Sequence, residues 1–269
     1  MKRKKLLSRL LYCILAILAF FLLLHQQGSM PLDKHMDTYF LQVFGGVRAD
    51  TTDTSVILSI FFYNIPWILF LYVFAPLFQK DFEVQYVYVF TRIGSKQKWL
   101  LQKTTQLFLQ IFVSWGLLFA AAFAFGAGFG FALRGPALLY IQLFALQVLG
   151  IFTLSFAQNL LSIKMGITQS YIVTLCCYAL AIMVGVLLYQ NANVTGWLFP
   201  LLPTAGQMLL WHADAAVLPE TLAVFFAGAA GFQVWKSIAV DLIYIVVLYV
   251  GTAFYLQKAD LIDFIKEEN

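Results

Sequence analysis

The residues best suited to contact a partner form an aromatic and basic stretch between two apolar runs. Residues 79–103 begin with acids, continue through an amphipathic aromatic stretch and end in the motif Arg-Ile-Gly-Ser-Lys-x-x-Trp at 92–99. Aromatic side chains beside charges are typical of protein interfaces, so this stretch predicts a docking element for a soluble protein. The candidate contact residues are Glu83, Tyr86, Tyr88, Phe90, Arg92, Gly94, Ser95, Lys96 and Trp99. Alternatively, the basic residues touch anionic lipid and Trp99 anchors the chain at the membrane interface.

A second set of polar residues lies inside otherwise apolar runs, where charges are costly and often functional. Asp241 is the only acid that we place inside such a run. Gln106, Gln110 and Ser114 are spaced by four and therefore share one helix face. Polar side chains on such a face either join helices or line a polar path. Asp241 alternatively lies near the outer surface beside Lys236 and stays hydrated. The candidates for a path are Gln106, Gln110, Ser114, Gln147 and Asp241.

The sequence contains none of the common catalytic or phosphate-binding motifs. The patterns G-x-x-x-x-G-K-[ST], H-E-x-x-H and G-x-S-x-G do not occur. The glycine cluster 126–130 follows an apolar run rather than a strand, which predicts a tight turn. The three Cys residues lie in apolar runs without a C-x-x-C spacing, so neither a disulfide framework nor a metal site is indicated. We therefore expect no catalytic residue in this chain and no metal or cofactor bound by it.

The composition places the chain in a membrane. Of its 269 residues, 62% are hydrophobic and 11% are charged, whereas soluble domains have about 25% charged residues. Water does not cover so much apolar surface favourably, so lipid is expected to do so. Membrane lipids are therefore expected partners, and nucleic acid is not.

Six apolar runs have the roughly 20-residue length that a spanning helix requires. They predict a single all-α polytopic domain over residues 1–269. The first run is longer than a signal-peptide core and lacks a clear small-x-small cleavage site, so we expect it to be retained. Prolines at 200, 203 and 219 break the apolar stretch 190–236, which predicts an outer re-entrant segment. The predicted spans are 6–24, 55–77, 104–125, 137–160, 170–189 and 237–256.

The distribution of Lys and Arg predicts the orientation, because basic loops stay cytoplasmic. With six spans and the N-terminus inside, both termini are cytoplasmic, and residues 25–54 form a long outer stretch. Of the 17 basic residues, the outer segments then hold only Lys34, Arg48, Arg134 and Lys236.

This pattern resembles the permease subunit of ABC-2-type transporters, which have a type V exporter-like architecture. The points of likeness are six spans with both ends inside, no nucleotide motif, a long first inner loop and a proline-broken outer segment. The stretch 92–99 is similar to the loop before the third span in permeases of Gram-positive bacteria. Some of those permeases serve peptide-antibiotic export and self-immunity.

The resemblance implies a function and a set of partners. It implies export of an amphipathic cargo (a peptide, an antibiotic or a lipid) across a bacterial plasma membrane, with ATP and Mg²⁺ bound by separate ATPase subunits. It implies that 79–103 is the coupling loop, that Glu83 to Arg92 enter an ATPase cleft, and that Phe199–Leu210 and Val217–Gly231 are the re-entrant pair. A second permease, identical or related, completes the transporter. The family often has an amphipathic helix before the first span, where this chain has only a short basic start.

Two other classes of protein remain open. One is an integral membrane enzyme acting on lipid or prenyl substrates, and the other is a non-transporting membrane sensor or assembly subunit. Such enzymes usually present clustered Asp, His or Arg residues at one membrane face, and Asp81 with Glu83 is the nearest approach to a cluster here. Co-purification with an ATPase distinguishes the permease from both alternatives.

Overall fold

The structure is a computed structural model that describes residues 34–46, 54–79, 81, 95–189, 197–214, 228–229 and 231–258, with backbone alone at 54–62. Over these ranges the chain is helical and contains no strand, which confirms the predicted all-α class for this part. Two isolated bridges, His35–Ala132 and His212–Ala229, are the extended pairings within these ranges.

Four helices in the described part are long and apolar enough to cross a membrane, namely α3 (Lys96–Gly128), α4 (Ala137–Met165), α5 (Ile167–Tyr189) and α7 (Val234–Lys258). A fifth helix, α2, contributes the shorter apolar stretch Tyr63–Phe74. Two single 3₁₀ turns, Phe199–Leu201 and Leu209–Trp211, flank the short α6. The predicted first span, 6–24, lies outside the described residues. In chain order the helices are α1 (Met36–Phe44), α2 (Thr54–Phe74), α3 (Lys96–Gly128), α4 (Ala137–Met165), α5 (Ile167–Tyr189), α6 (Pro203–Gly206) and α7 (Val234–Lys258).

The helix α3 begins earlier than the sequence predicted. We expected a start near Thr104, whereas the helix starts at Lys96. The Ser95 side chain accepts a hydrogen bond of 3.1 Å from the backbone N–H of Lys98, which is the usual action of an N-cap serine. Lys and Gln are good helix formers, so the basic segment extends the helix. Residues 96–103, the end of the predicted coupling loop, are therefore helical.

The helices α4 and α5 form a tight hairpin. Only Gly166 separates them, and its φ of +81° lies in a region that glycine adopts without steric cost. Its N–H donates to the Ser162 carbonyl at 3.1 Å and closes α4. At the other end of α4, Pro136 is the N-cap residue that follows the turn from α3. Both connections are short, so α3, α4 and α5 lie antiparallel side by side.

The helix α4 is at the centre of the described bundle. It packs against α1, α2, α3, α5, α6 and α7. By contrast, α5 and α7 present many large apolar side chains outward, as expected for helices covered by lipid. The most exposed of these side chains are Ile172, Leu180, Met183, Leu187, Trp235, Ile243, Val246, Val247 and Phe254.

The helix α1 was not predicted, because we placed residues 25–54 in an outer polar stretch. Nearly all of α1 is buried, and it inserts between α3 and α4. The Phe40 ring lies 5.4 Å from the Phe119 and Phe123 rings of α3 and 5.3 Å from the Tyr140 ring of α4. The signal was present in the sequence, since apolar residues at 36, 40 and 44 lie on one helix face.

Candidate functional site: the broken segment and the Gln147 node

The most irregular part of the described bundle is the broken segment, residues 197–214. Pro200 and Pro203 occupy the first positions of their turns, where a missing N–H costs least. The chain therefore folds here as separate single turns rather than as one helix. Trp197 and Leu201 are exposed, but five other large side chains of the segment are buried, namely Phe199, Met208, Leu209, Leu210 and Trp211.

The broken segment reaches halfway along α4. A Cβ on Gly150 would lie 2.7 Å from Cδ of Gln207, so the absence of a side chain at Gly150 makes room for Gln207. Since α4 begins at Ala137, this contact lies about 20 Å along the helix at 1.5 Å per residue. A Cβ on Gly185 of α5 would lie 3.2 Å from the Trp211 ring. Irregular backbone at membrane depth is tolerated only where protein or water satisfies its polar groups.

The Gln147 side chain supplies one of the hydrogen-bond partners that the irregular backbone of the broken segment needs. It is fully buried in α4, and its Nε2 donates to the Phe44 carbonyl at 2.8 Å, the Tyr63 hydroxyl at 2.9 Å and the Gln207 carbonyl at 3.2 Å. Its Oε1 accepts from Trp67 Nε1 at 3.0 Å. These five residues form the Gln147 node, which joins α1, α2, α4 and the broken segment.

Two further polar contacts fix α2. Asn159 of α4 donates from Nδ2 to the Phe74 carbonyl at 3.0 Å and accepts the Phe78 N–H at 3.1 Å. It thereby serves backbone groups that the end of a helix leaves unpaired. The Tyr178 hydroxyl of α5 donates to Oδ1 of Asn64. With the Gln147 node, these contacts hold α2 against α4 and α5.

His212 lies near the C-terminal end of the broken segment. Its ring stacks on Phe232 at 3.9 Å, Nδ1 lies 3.0 Å from the Met208 carbonyl, and Nε2 lies 2.8 Å from Ser237 Oγ. Because a carbonyl only accepts, Nδ1 carries the proton and Nε2 accepts the Ser237 hydroxyl. Burial lowers the pKa of His212 from 6.5 to about 4. The ring is therefore neutral near pH 7.

Asp241 lies one helical turn beyond Ser237 on α7. It is 2% exposed, and its Oδ2 has no hydrogen-bond partner within the described ranges. The ammonium of Lys236 donates to the Gly231 carbonyl at 2.8 Å. Asp241 is therefore buried at the broken segment rather than exposed beside Lys236.

The structure brings two of the five predicted path residues to the broken segment, namely Gln147 and Asp241. The other three lie on α3. Gln106 is exposed on the outside of the bundle. Gln110 is half-buried, and Ser114 is buried with its hydroxyl donating to the Gln110 carbonyl at 2.6 Å. The three predicted path residues on α3 therefore become more buried from Gln106 through Gln110 to Ser114.

The predicted docking residues divide into two groups. Glu83, Tyr86, Tyr88, Phe90, Arg92 and Gly94 lie outside the described residues. Ser95 and Lys96 begin α3. Trp99 is fully buried, and its Nε1 donates to Asp81 Oδ2 at 3.0 Å, while Lys103 Nζ lies 2.8 Å from the same oxygen. Through Asp81, Trp99 and Lys103 therefore connect the segment that follows α2 to the first turns of α3.

Asn159, Gln207 and the His212–Ser237 contact were not predicted from the sequence. Asn159 and Gln207 carry a signal, because an amide in apolar surroundings needs a partner. The contact between His212 and Ser237 has no sequence signal, since the two residues are 25 positions apart with no periodicity between them.

Comparisons with models of known protein families, with curated proteins and with solved structures found no match. The four long apolar helices indicate a multi-pass membrane protein. The resemblance to ABC-2 permeases stays a prediction from the sequence.

Proposed function

We propose that this chain is the membrane-spanning permease subunit of an ATP-binding cassette exporter in a bacterial plasma membrane. It works with a second permease, identical or related, and moves an amphipathic peptide, antibiotic or lipid outward. Separate ATPase subunits bind and hydrolyse ATP, so the chain itself is not an enzyme. Residues 79–103 couple the two kinds of subunit.

The observation that carries this proposal is the insertion of the broken segment to the middle of α4. Discontinuous helices inside a bundle are a recurring feature of transporters, where they meet substrates at membrane depth. The turns of the broken segment carry short local hydrogen bonds, such as Leu202 N–H to the Phe199 carbonyl at 3.0 Å, in place of the continuous hydrogen-bond ladder of a long helix.

The chemistry along the broken segment supports an amphipathic cargo. Apolar side chains such as Phe199 and Trp211 lie there beside Gln207, a buried neutral amide whose side chain has no hydrogen-bond partner among the described residues. Amides bind peptide or head-group hydrogen-bonding atoms without selecting strongly for charge.

The test is affinity purification of the tagged chain from native membranes in mild detergent, with mass spectrometry of the proteins that co-elute. We expect an ATPase subunit that is lost when Tyr86, Tyr88 and Arg92 are changed to Ala. A control with the exposed Trp197 and Trp235 changed to Ala should retain it. Absence of an ATPase under every mild condition would contradict the proposal and favour a sensor or assembly subunit.

One contact favours the alternative of a membrane enzyme acting on lipid. His212 Nε2 lies 2.8 Å from Ser237 Oγ, a distance at which a histidine can accept a serine proton. Both residues are 1% exposed, so the hydroxyl is covered by protein on all sides. If the purified chain hydrolysed a lipid ester and Ser237→Ala abolished that activity, the enzyme would replace the permease as the proposed function.

A further inference from the structure

Asp241 is a carboxylate inside α7 without a positive partner among the described residues. The ion pair within the described ranges is Asp81–Lys103, and the nearby Lys236 is directed to the Gly231 carbonyl. An isolated charge at membrane depth is costly, and such residues usually pair or mark an ion or substrate pathway. Among the described residues, Asp241 is therefore left without a positive group to balance it.

Two contacts place Asp241 over the middle of the broken segment. On one side of it, a Cβ on Gly206 would lie 3.4 Å from Ser237 Cβ. On the other side, the Tyr244 hydroxyl donates to the Leu201 carbonyl at 2.6 Å. Because Asp241 lies between Ser237 and Tyr244 on α7, it faces the stretch between Leu201 and Gly206.

Thr204 lies in that stretch and supplies a second free oxygen. It is 2% exposed, and its Oγ1 has no hydrogen-bond partner in the part of the chain that the structure describes. A buried hydroxyl without a partner is rare in native proteins and calls for a ligand or another polar group. Thr204 Oγ1 and Asp241 Oδ2 are thus two buried oxygens without a partner among the described residues, on the contacting helices α6 and α7.

The donor atoms define the class of ligand. Oxygen ligands suit hard cations and hydrogen-bond donors rather than soft metals. Among the described residues no group of three or more His, Cys, Asp and Glu side chains converges on a metal position. A single carboxylate balances a single positive charge.

We propose that Asp241 and Thr204 bind a monovalent cationic group between α7 and the broken segment, either an alkali ion or a primary ammonium. The bound charge neutralises Asp241 and links α6 to α7. The proposal concerns the chain alone and does not depend on its pairing with an ATPase.

The test is the thermal unfolding of the purified full-length chain in detergent, in sodium, methylammonium or choline chloride at equal ionic strength. Choline is the reference, because its quaternary nitrogen has no N–H to donate. We expect sodium or methylammonium to raise the unfolding midpoint saturably by about 3 °C. Asp241→Asn should abolish the increase. Asp81→Asn, which changes a carboxylate that is already paired with Lys103, should retain it.

A second variant keeps the proposal testable if Asp241→Asn does not fold. Thr204→Val preserves the shape and the carboxylate, and we expect it to raise the half-saturating concentration about tenfold. Binding of radioactive sodium, with methylammonium as competitor, measures this directly on the folded wild-type chain. A response to sodium identifies an alkali-ion site, and a response to methylammonium alone identifies an ammonium site. Equal midpoints in all three salts, or an unchanged Thr204→Val, would overturn the proposal.

Discussion

The buried amides of this chain occupy very different environments. Gln147 uses both ends of its side chain in four hydrogen bonds. Gln207 and Gln158 are equally buried, yet their side-chain amide atoms have no partner within the described ranges. A satisfied amide fixes its neighbours, whereas an unsatisfied one is a place where a ligand or a rearrangement lowers the free energy. Gln147 is therefore the structural anchor, and Gln207 is the side chain free to change partners.

We predict that Gln147→Leu lowers the free energy of unfolding by about 3 kcal/mol or more, because it leaves the Trp67 N–H and buried carbonyls unpaired. The measurement is equilibrium unfolding in mixed detergent and dodecyl sulfate micelles. Gln106→Leu is the matched control, since Gln106 is exposed and the chemical change is the same. Equal effects of the two substitutions would contradict the role of the Gln147 node.

Because His212 is buried, we expect the free energy of unfolding to depend on pH. Burial lowers its pKa from 6.5 to about 4, so between these values the unfolded chain binds a proton that the folded chain does not. Stability therefore falls as the pH is lowered from 6.5 towards 4, by up to about 3 kcal/mol from this group.

The measurement is the unfolding free energy of wild type and His212→Gln across that pH range. Carboxylates titrate in both proteins, so the difference between the two curves isolates the histidine. If both proteins lost the same stability between pH 6.5 and pH 4, His212 would not be the group responsible.

At the scale of elements, the end of α1 is fitted closely to the broken segment. The Leu210 N–H donates to the Gly45 carbonyl at 3.0 Å. Gly46 follows with a φ of +124°, and a Cβ there would lie 2.8 Å from Met208 Cβ. This position therefore requires glycine both for its backbone conformation and for space.

We predict that Gly46→Ala destabilises the chain by about 2 kcal/mol, since it adds backbone strain and overpacking. Gly116→Ala in α3 is the control, because a Cβ there meets nothing within 4 Å. The unfolding midpoints of the two variants in the same detergent provide the measurement. A Gly46→Ala variant as stable as Gly116→Ala would show that α1 and the broken segment separate without cost.

The elements that sequence predicts best are those specified by local pattern. The apolar runs after Pro136 and Ser237 lie in α4 and α7, because twenty apolar residues in a row suit a helix in lipid whatever its neighbours. The insertion of α1 and the partners of Gln147 were not predicted. They depend on contacts between residues far apart in sequence, such as Phe44 with Gln147, and no local spacing encodes these.

At the scale of the whole molecule, α4 has its two ends at opposite faces of the bundle. The turn before Pro136 lies at one end and Gly166 at the other. The basic residues predict that Gly166 faces the cytoplasm and that the turn before Pro136 faces outward. Leu133 and Met165 are exposed at these two ends, so they are suited to reporting the orientation.

We predict that, in a background without Cys13, Cys176 and Cys177, Leu133→Cys is labelled by a membrane-impermeant maleimide on intact cells. Met165→Cys should be labelled only after the membrane is opened. Cys176 and Cys177 are exposed in α5, so their replacement by Ala should not disturb packing. The reverse labelling pattern would contradict the predicted orientation.

The length of α3 has a mechanical consequence. Its 33 residues extend about 50 Å at 1.5 Å per residue, whereas the hydrocarbon core of a bilayer is about 30 Å thick. No proline interrupts it, so as one continuous helix it is about 20 Å longer than the hydrocarbon core. Trp99 ties the Lys96 end to Asp81, and at the far end Gly126 packs against Met36 of α1. A displacement of the Lys96 end would therefore be transmitted along one continuous helix to α1 at its other end.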